Sequence, residues 1–167
     1  MGLLVRDVMT PAVAAVPPDA SLVEAAQLMR AQDIGDVLVA QDGLLLGVVT
    51  DRDITLRAVA DGADPLTVSC RSVCTPEPVC VGPDEQISAA VALMRTNAVR
   101  RLPVVENGTP VGMVSIGDLA REQDPDSALA DISRAAPDTW PGNPGNGIPG
   151  IGAPGPGVPG TGIPGLA

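Results

Sequence analysis

Two four-residue stretches carry most of the chemistry this chain can offer: Thr50-Asp51-Arg52-Asp53 and, 65 residues later, Ser115-Ile116-Gly117-Asp118. Each follows a short apolar run (Val48-Val49; Met113-Val114) and opens a helix pattern. A hydroxyl and a carboxylate three residues apart at a helix start lie beside unpaired backbone N–H groups at the positive end of the helix dipole. Phosphate or another anion docks at such a place, and the carboxylate accepts hydrogen bonds from a sugar diol. The same atoms also make a capping box, in which hydroxyl and acid satisfy each other's backbone groups. Both readings stand for either stretch alone; recurrence at a fixed offset favours a nucleotide grip.

The elements that position these turns belong to a duplicated unit. Residues 6–54 align with 71–119 without a gap. Arg6-x-Val8-x-Thr10-Pro11 matches Arg71-x-Val73-x-Thr75-Pro76, and Leu28-Met29-Arg30 matches Leu93-Met94-Arg95. In each copy a Pro-Asp pair (Asp19; Asp84) is expected to cap a helix whose apolar stripe is Leu22, Ala25, Ala26, Met29 or Ile87, Ala90, Val91, Met94. Short strands are expected before the helix (14–16; 79–81). After it come two strands joined at Asp42-Gly43 or Asn107-Gly108, strong hairpin dipeptides. A second helix closes the unit. One unit of this size buries too little surface to stand alone, so the two copies are expected to pack sheet to sheet about a pseudo-two-fold axis.

Composition narrows the function. The 167 residues carry a net charge of −10 with no Lys, which argues against a nucleic-acid surface. There is no His, and no Ser, Cys or Lys sits beside a recognisable base, so no catalytic residue and no metal site is expected. Cys70, Cys74 and Cys80 read as small buried thiols, with a redox pair as the alternative. No apolar run reaches membrane-span length and the N-terminus lacks a signal-peptide layout, so a cytoplasmic protein without a membrane partner is expected. Residues 137–167, rich in Pro and Gly with repeats such as Val158-Pro159-Gly160-Thr161-Gly162, are expected to form a disordered elastin-like tail.

Together, Thr10-Pro11, Thr75-Pro76, Val99-Arg100-Arg101-Leu102-Pro103-Val104-Val105 and the two Gly-x-x-Thr/Ser-x-x-Asp turns resemble a tandem pair of cystathionine-β-synthase (CBS) domains, a Bateman module. The run from Asp33 to Ile54 is similar to small stand-alone CBS proteins of the hypoxic-response type. The resemblance implies an α/β (α+β) fold of two β-α-β-β-α repeats: repeat one over 1–65, repeat two over 66–123, a partly helical linker at 124–136, then the tail. It implies a homodimer and a non-enzymatic regulator, with no cofactor. AMP, ADP, ATP or S-adenosylmethionine would bind between the repeats, and an unknown partner protein would be regulated. Carried over by position, Asp53 and Asp118 take the ribose, Thr50 and Ser115 sit by the phosphate, Arg100 and Arg101 reach the phosphate, and Leu38 and Pro103 line the base pocket. Repeat two has Arg100-Arg101 where repeat one has Gly35-Asp36, so unequal clefts are expected, with loss of Asp118 costing more binding than loss of Asp53. The alternative is a ligand-free structural or redox dimerisation module using the cysteines.

Overall fold

The computed structural model describes residues 2–135. Repeat one runs β2 (Ala15–Val16), α2 (Leu22–Gln32), β3 (Asp36–Gln41), β4 (Leu44–Thr50) and α3 (Asp51–Ile54), preceded by α1 (Val5–Val8) and β1 (Thr10–Pro11). A single π turn, Thr55–Val59, extends α3. Repeat two runs α4 (Cys70–Val73), β5 (Thr75–Pro76), α5 (Ile87–Asn97), β6 (Arg101–Glu106), β7 (Thr109–Ser115) and α6 (Ile116–Gln123), and α7 (Ala128–Arg134) follows. The expected tail lies outside the described residues.

Both hairpins form at the dipeptides read from sequence. Asp42 and Gly43 have φ of 53° and 79°, and Asn107 and Gly108 have 52° and 84°. Two successive left-handed residues give the turn whose twist matches the flanking strands. Leu22, Ala25 and Met29 are buried on α2, as are Ile87, Ala90 and Met94 on α5, whereas Ala26 is exposed. The helix caps differ from the expected ones. Ser21, not Asp19, caps α2, in a reciprocal box with Glu24; Gln86, not Asp84, precedes α5 and supplies no side-chain cap. Asp84 instead pairs with Arg6. Of the expected strand at 79–81, only a single bridge from Val81 to Val104 forms.

Strand pairing shows what the repeat alignment could not: the leading segments are exchanged. β1 pairs with β7 of the second repeat, and β5 pairs with β4 of the first, giving sheets ordered β1-β7-β6 and β2-β3-β4-β5. Main-chain hydrogen bonds repeat the exchange at the 65-residue offset. Val5 N–H donates to Glu85 O and Cys70 N–H to Ala20 O; Ile87 N–H donates to Leu3 O and Leu22 N–H to Val68 O. Val5 accordingly sits in the core with Leu102, Val104 and Val114, while Cys70 and Val73 complete the core of Leu22, Val37, Val39 and Val49. Each half thus borrows a wedge from the other copy.

Candidate functional site

The two strand-to-helix turns close as capping boxes with near-identical geometry. Thr50 Oγ1 donates to Asp53 Oδ2 at 2.8 Å and accepts from Asp53 N–H at 3.1 Å, while Thr50 N–H donates to the same Oδ2 at 3.0 Å. Ser115 and Asp118 repeat this at 2.7, 3.2 and 2.8 Å. The remaining oxygen of each acid meets an Arg one turn on: Asp53 Oδ1 lies 3.1 Å from Arg57, and Asp118 Oδ1 binds Arg121. A carboxylate offers about four lone-pair positions, so three are taken and one on Oδ1 stays open to a ligand hydroxyl.

The backbone donors at the two turns are not equally free. In α3 Asp51 N–H donates to Gly35 O, Arg52 N–H to Asp51 Oδ1 at 2.7 Å, and Asp53 N–H to Thr50. All three first-turn amides are spent, one of them on the protein's own carboxylate. In α6 Ile116 N–H donates to Arg100 O and Asp118 N–H to Ser115, but Gly117 N–H has no partner among the described residues. Ile116 has no carboxylate to offer where Asp51 does. Of the two anion docks read from the sequence, only the second keeps an open first-turn amide, at Gly117. Ser133 of α7 stands over it: a Cβ at Gly117 would lie 2.6 Å from Ser133 Oγ.

One cleft of about 1040 Å³ runs between the repeats. Thr50, Asp53, Ser115, Arg100, Arg101 and Pro103 all line it, with Val48 and Met113 forming apolar wall. Two expected residues do not. Leu38 is 1% exposed: alternation along β3 puts it on the face of its partner Val48, opposite the core residues Val37 and Val39, but it is covered there and does not reach the groove. Asp118 is 8% exposed, tucked behind Gly117 by its cap and its Arg121 pair. Arg101 reaches the cleft but is already engaged, its guanidinium bound to the buried carboxylate of Asp36. Asp36 and Arg101 occupy the same position in the two repeats, so this pair bridges the pseudo-dyad. Sequence comparison exposed the charge reversal at this position but not that the two members meet. Carboxylates from Asp36, Asp51, Asp53 and Glu77 face guanidiniums from Arg52, Arg100 and Arg101.

A family comparison decides what this arrangement is. The family model of the CBS domain matches the chain twice, at residues 5–59 and 70–124. The chain belongs to the CBS-domain family. CBS pairs are regulatory, ligand-binding modules, and stand-alone CBS pairs are in general not enzymes. The CBS domain-containing protein YhcV of Bacillus subtilis is 41% identical over 133 residues, covering 77% of this chain and 94% of YhcV. A crystal structure of Hypoxic Response Protein I with two coordinated zinc ions is 34% identical, with a TM-score of 0.67 over 72% of this chain and 98% of that one. The CBS domain pair of MJ0100, solved with 5′-methylthioadenosine and S-adenosyl-L-methionine, shares the fold at 23% identity and a TM-score of 0.65, over 72% and 95% of the two chains. Among the described residues no group of three His, Cys, Asp or Glu is placed to hold a metal ion. No helix among them is long and apolar enough to cross a membrane.

Cys70 and Cys74 pack into the core of the first repeat. Cys70 occupies the position of Val5 in the other copy and is fully buried. Burial, reinforced by Glu24 and Cys74, pushes its thiol up to about 11. Burial also raises Cys74 and Cys80. Thiolates are the reactive form, so raised thiols disfavour the redox alternative. Because the folded thiol keeps its proton longer than the unfolded one, Cys70 contributes stability that is complete below about pH 9 and is lost as pH rises through about 11. Denaturant titrations between pH 8 and 11 are expected to show that decline, made shallower by Cys70→Val. An unchanged slope would mean that Cys70 does not titrate as described.

Proposed function

We propose that this CBS pair is a regulator that binds an adenosyl ligand, of the class of AMP, ADP, ATP and S-adenosylmethionine, in the inter-repeat cleft. It then passes the state of that cleft to another protein. The observation that carries the reading is the convergence of Thr50, Asp53, Ser115 and Gly117, from two different repeats, on one groove with an apolar wall at Val48, Pro103 and Met113. Asp53 would accept one ribose hydroxyl on its remaining lone pair. The Gly117 amide and the Arg100 guanidinium would take an anionic group, and the aliphatic wall would cover the base. That a protein of the same fold holds 5′-methylthioadenosine and S-adenosyl-L-methionine supports the ligand class.

Ligand binding shifts a protein only through a difference in affinity between two of its states. Here both walls of the cleft come from different repeats, so a ligand spanning them would favour one closure angle. We further propose that the regulator works as a homodimer in the cytoplasm. Leu56 and Val59, 50% and 60% exposed at the end of the first repeat's closing helix, offer apolar surface for a second copy.

Thermal-shift titration of the full chain with AMP, ATP and S-adenosylmethionine tests the reading; at 100 times Kd, stabilisation of about 3 kcal/mol is expected. Asp53→Asn and Asp118→Asn remove equivalent caps, each at a cost of about 1 kcal/mol. Only Asp53 lines the cleft, so Asp53→Asn should weaken ligand binding about tenfold, against less than about threefold for Asp118→Asn. That order reverses the sequence-based expectation, since Asp118 is not among the residues lining the cleft. If no adenosyl ligand raises the melting temperature, the proposed function fails.

A further inference from the structure

The pair on the pseudo-dyad suggests which ligands the cleft refuses. Resting on the adenosyl reading above, we infer that Asp36 is a charge-selectivity residue: by holding Arg101 it fits the cleft to a ligand with a single anionic group and excludes polyphosphates. Asp36 and Arg101 start β3 and β6, directly across the strands from Thr50 and Ser115. They therefore lie beside both turns at once. The Asp36 side chain is 10% exposed and that of Arg101 49%. Arg101 is the only hydrogen-bond partner of the Asp36 carboxylate among the described residues. A ligand phosphate that drew Arg101 away would leave a buried carboxylate without its counter-charge, which costs more than the new contact returns.

The rest of the groove agrees. Asp51 already occupies the helix start in repeat one, where a second phosphate would need backbone donors. What remains for an anion is one amide, Gly117, and the guanidiniums of Arg52 and Arg100, which have no partner among the described residues. Four carboxylates against three guanidiniums leave the lining with a small net negative charge, inside a chain of net charge −10. Such a field repels a triphosphate before contact and tolerates a monophosphate or a zwitterion.

The experiment titrates the full chain, wild type and Asp36→Asn, by calorimetry with AMP, ATP and inorganic tripolyphosphate, in EDTA so that no cation masks the phosphates. Wild type is expected to bind AMP about tenfold more tightly than ATP and to show no heat with tripolyphosphate. Asp36→Asn keeps the shape but drops the charge; it should raise ATP affinity to that of AMP or beyond and gain tripolyphosphate binding. Far-UV circular dichroism checks folding, with Asp36→Ser as the second variant. Wild-type ATP binding equal to or tighter than that of AMP would overturn the inference, as would variants that leave the ATP-to-AMP ratio unchanged. If neither nucleotide binds the wild type and S-adenosylmethionine, titrated beside them, does not bind either, the adenosyl reading falls by itself. Tripolyphosphate then decides the selectivity: its gain in the Asp36 variants supports it, and its absence overturns it.

Discussion

Deleting residues 1–12 is expected to unfold the second repeat while leaving the first largely intact. The removed segment contributes nothing to the sheet of its own repeat. It supplies Val5 to the core of Ile87, Leu102, Val104 and Val114, and it supplies β1 to the edge of β7. Partly buried Val8 and Met9 pack on the same cluster. Burial of an aliphatic side chain of this size stabilises by about 1.5–3 kcal/mol, so losing one fully and two partly buried ones costs about 4 kcal/mol. That is a large share of the roughly 5–15 kcal/mol that holds an ordinary domain together. Hydrogen exchange read by mass spectrometry locates the damage: protection should fall across 87–115 and persist across 22–50. Loss confined to 15–50 would mean that the opening segment serves its own repeat.

The second large effect is expected at Gly47 and Gly112. These equivalent positions face the exchanged strands, where Gly47 pairs with Pro76 and Gly112 with Pro11. A Cβ on Gly112 would lie 2.9 Å from Thr10 O and 2.7 Å from Met9 Sδ; on Gly47 it would lie 2.9 Å from Thr75 O and 2.7 Å from Cys74 Sγ. Backbone oxygen cannot rotate away as a side chain does, so the crossing strand must move. Gly112→Val and Gly47→Val should each cost about 3 kcal/mol, at the upper end of typical overpacking, and lower the melting temperature by roughly 10 °C in scanning calorimetry. Gly62→Asn is the control. Gly62 has φ of 67°, which Asn tolerates, and nothing lies within 4 Å of an added Cβ. Equal losses at all three positions would show that the effect is generic to glycine rather than to the crossing.

Much of the fold was legible because duplication repeats every local signal. The hairpin dipeptides, the apolar stripes of α2 and α5 and the hydroxyl–acid turns each appear twice, so chance resemblance is suppressed. What a repeat cannot reveal is which copy an element joins. Thr10-Pro11 has the same local sequence whether it pairs with Val48 or with Met113, and only the tertiary contact decides. The same gap explains the site. Gly35-Asp36 against Arg100-Arg101 was visible as a charge reversal, yet the ion pair of Asp36 with Arg101 depends on how the copies face each other. Asp118 and Leu38 lie behind the groove lining for a simpler reason: pattern gives a side chain's element and parity but not the depth of the groove beside it. Ser133, above Gly117, had no signal at all, since α7 lies beyond the repeat.

The reciprocal loan of segments also sets the order in which this molecule can be made. On a ribosome the first repeat's sheet stays short of an edge until residue 76 has emerged, and the opening helix has nowhere to rest until residue 115 has followed. A nascent chain stalled between the copies would therefore hold a sticky, unfinished sheet and a stray wedge looking for a berth.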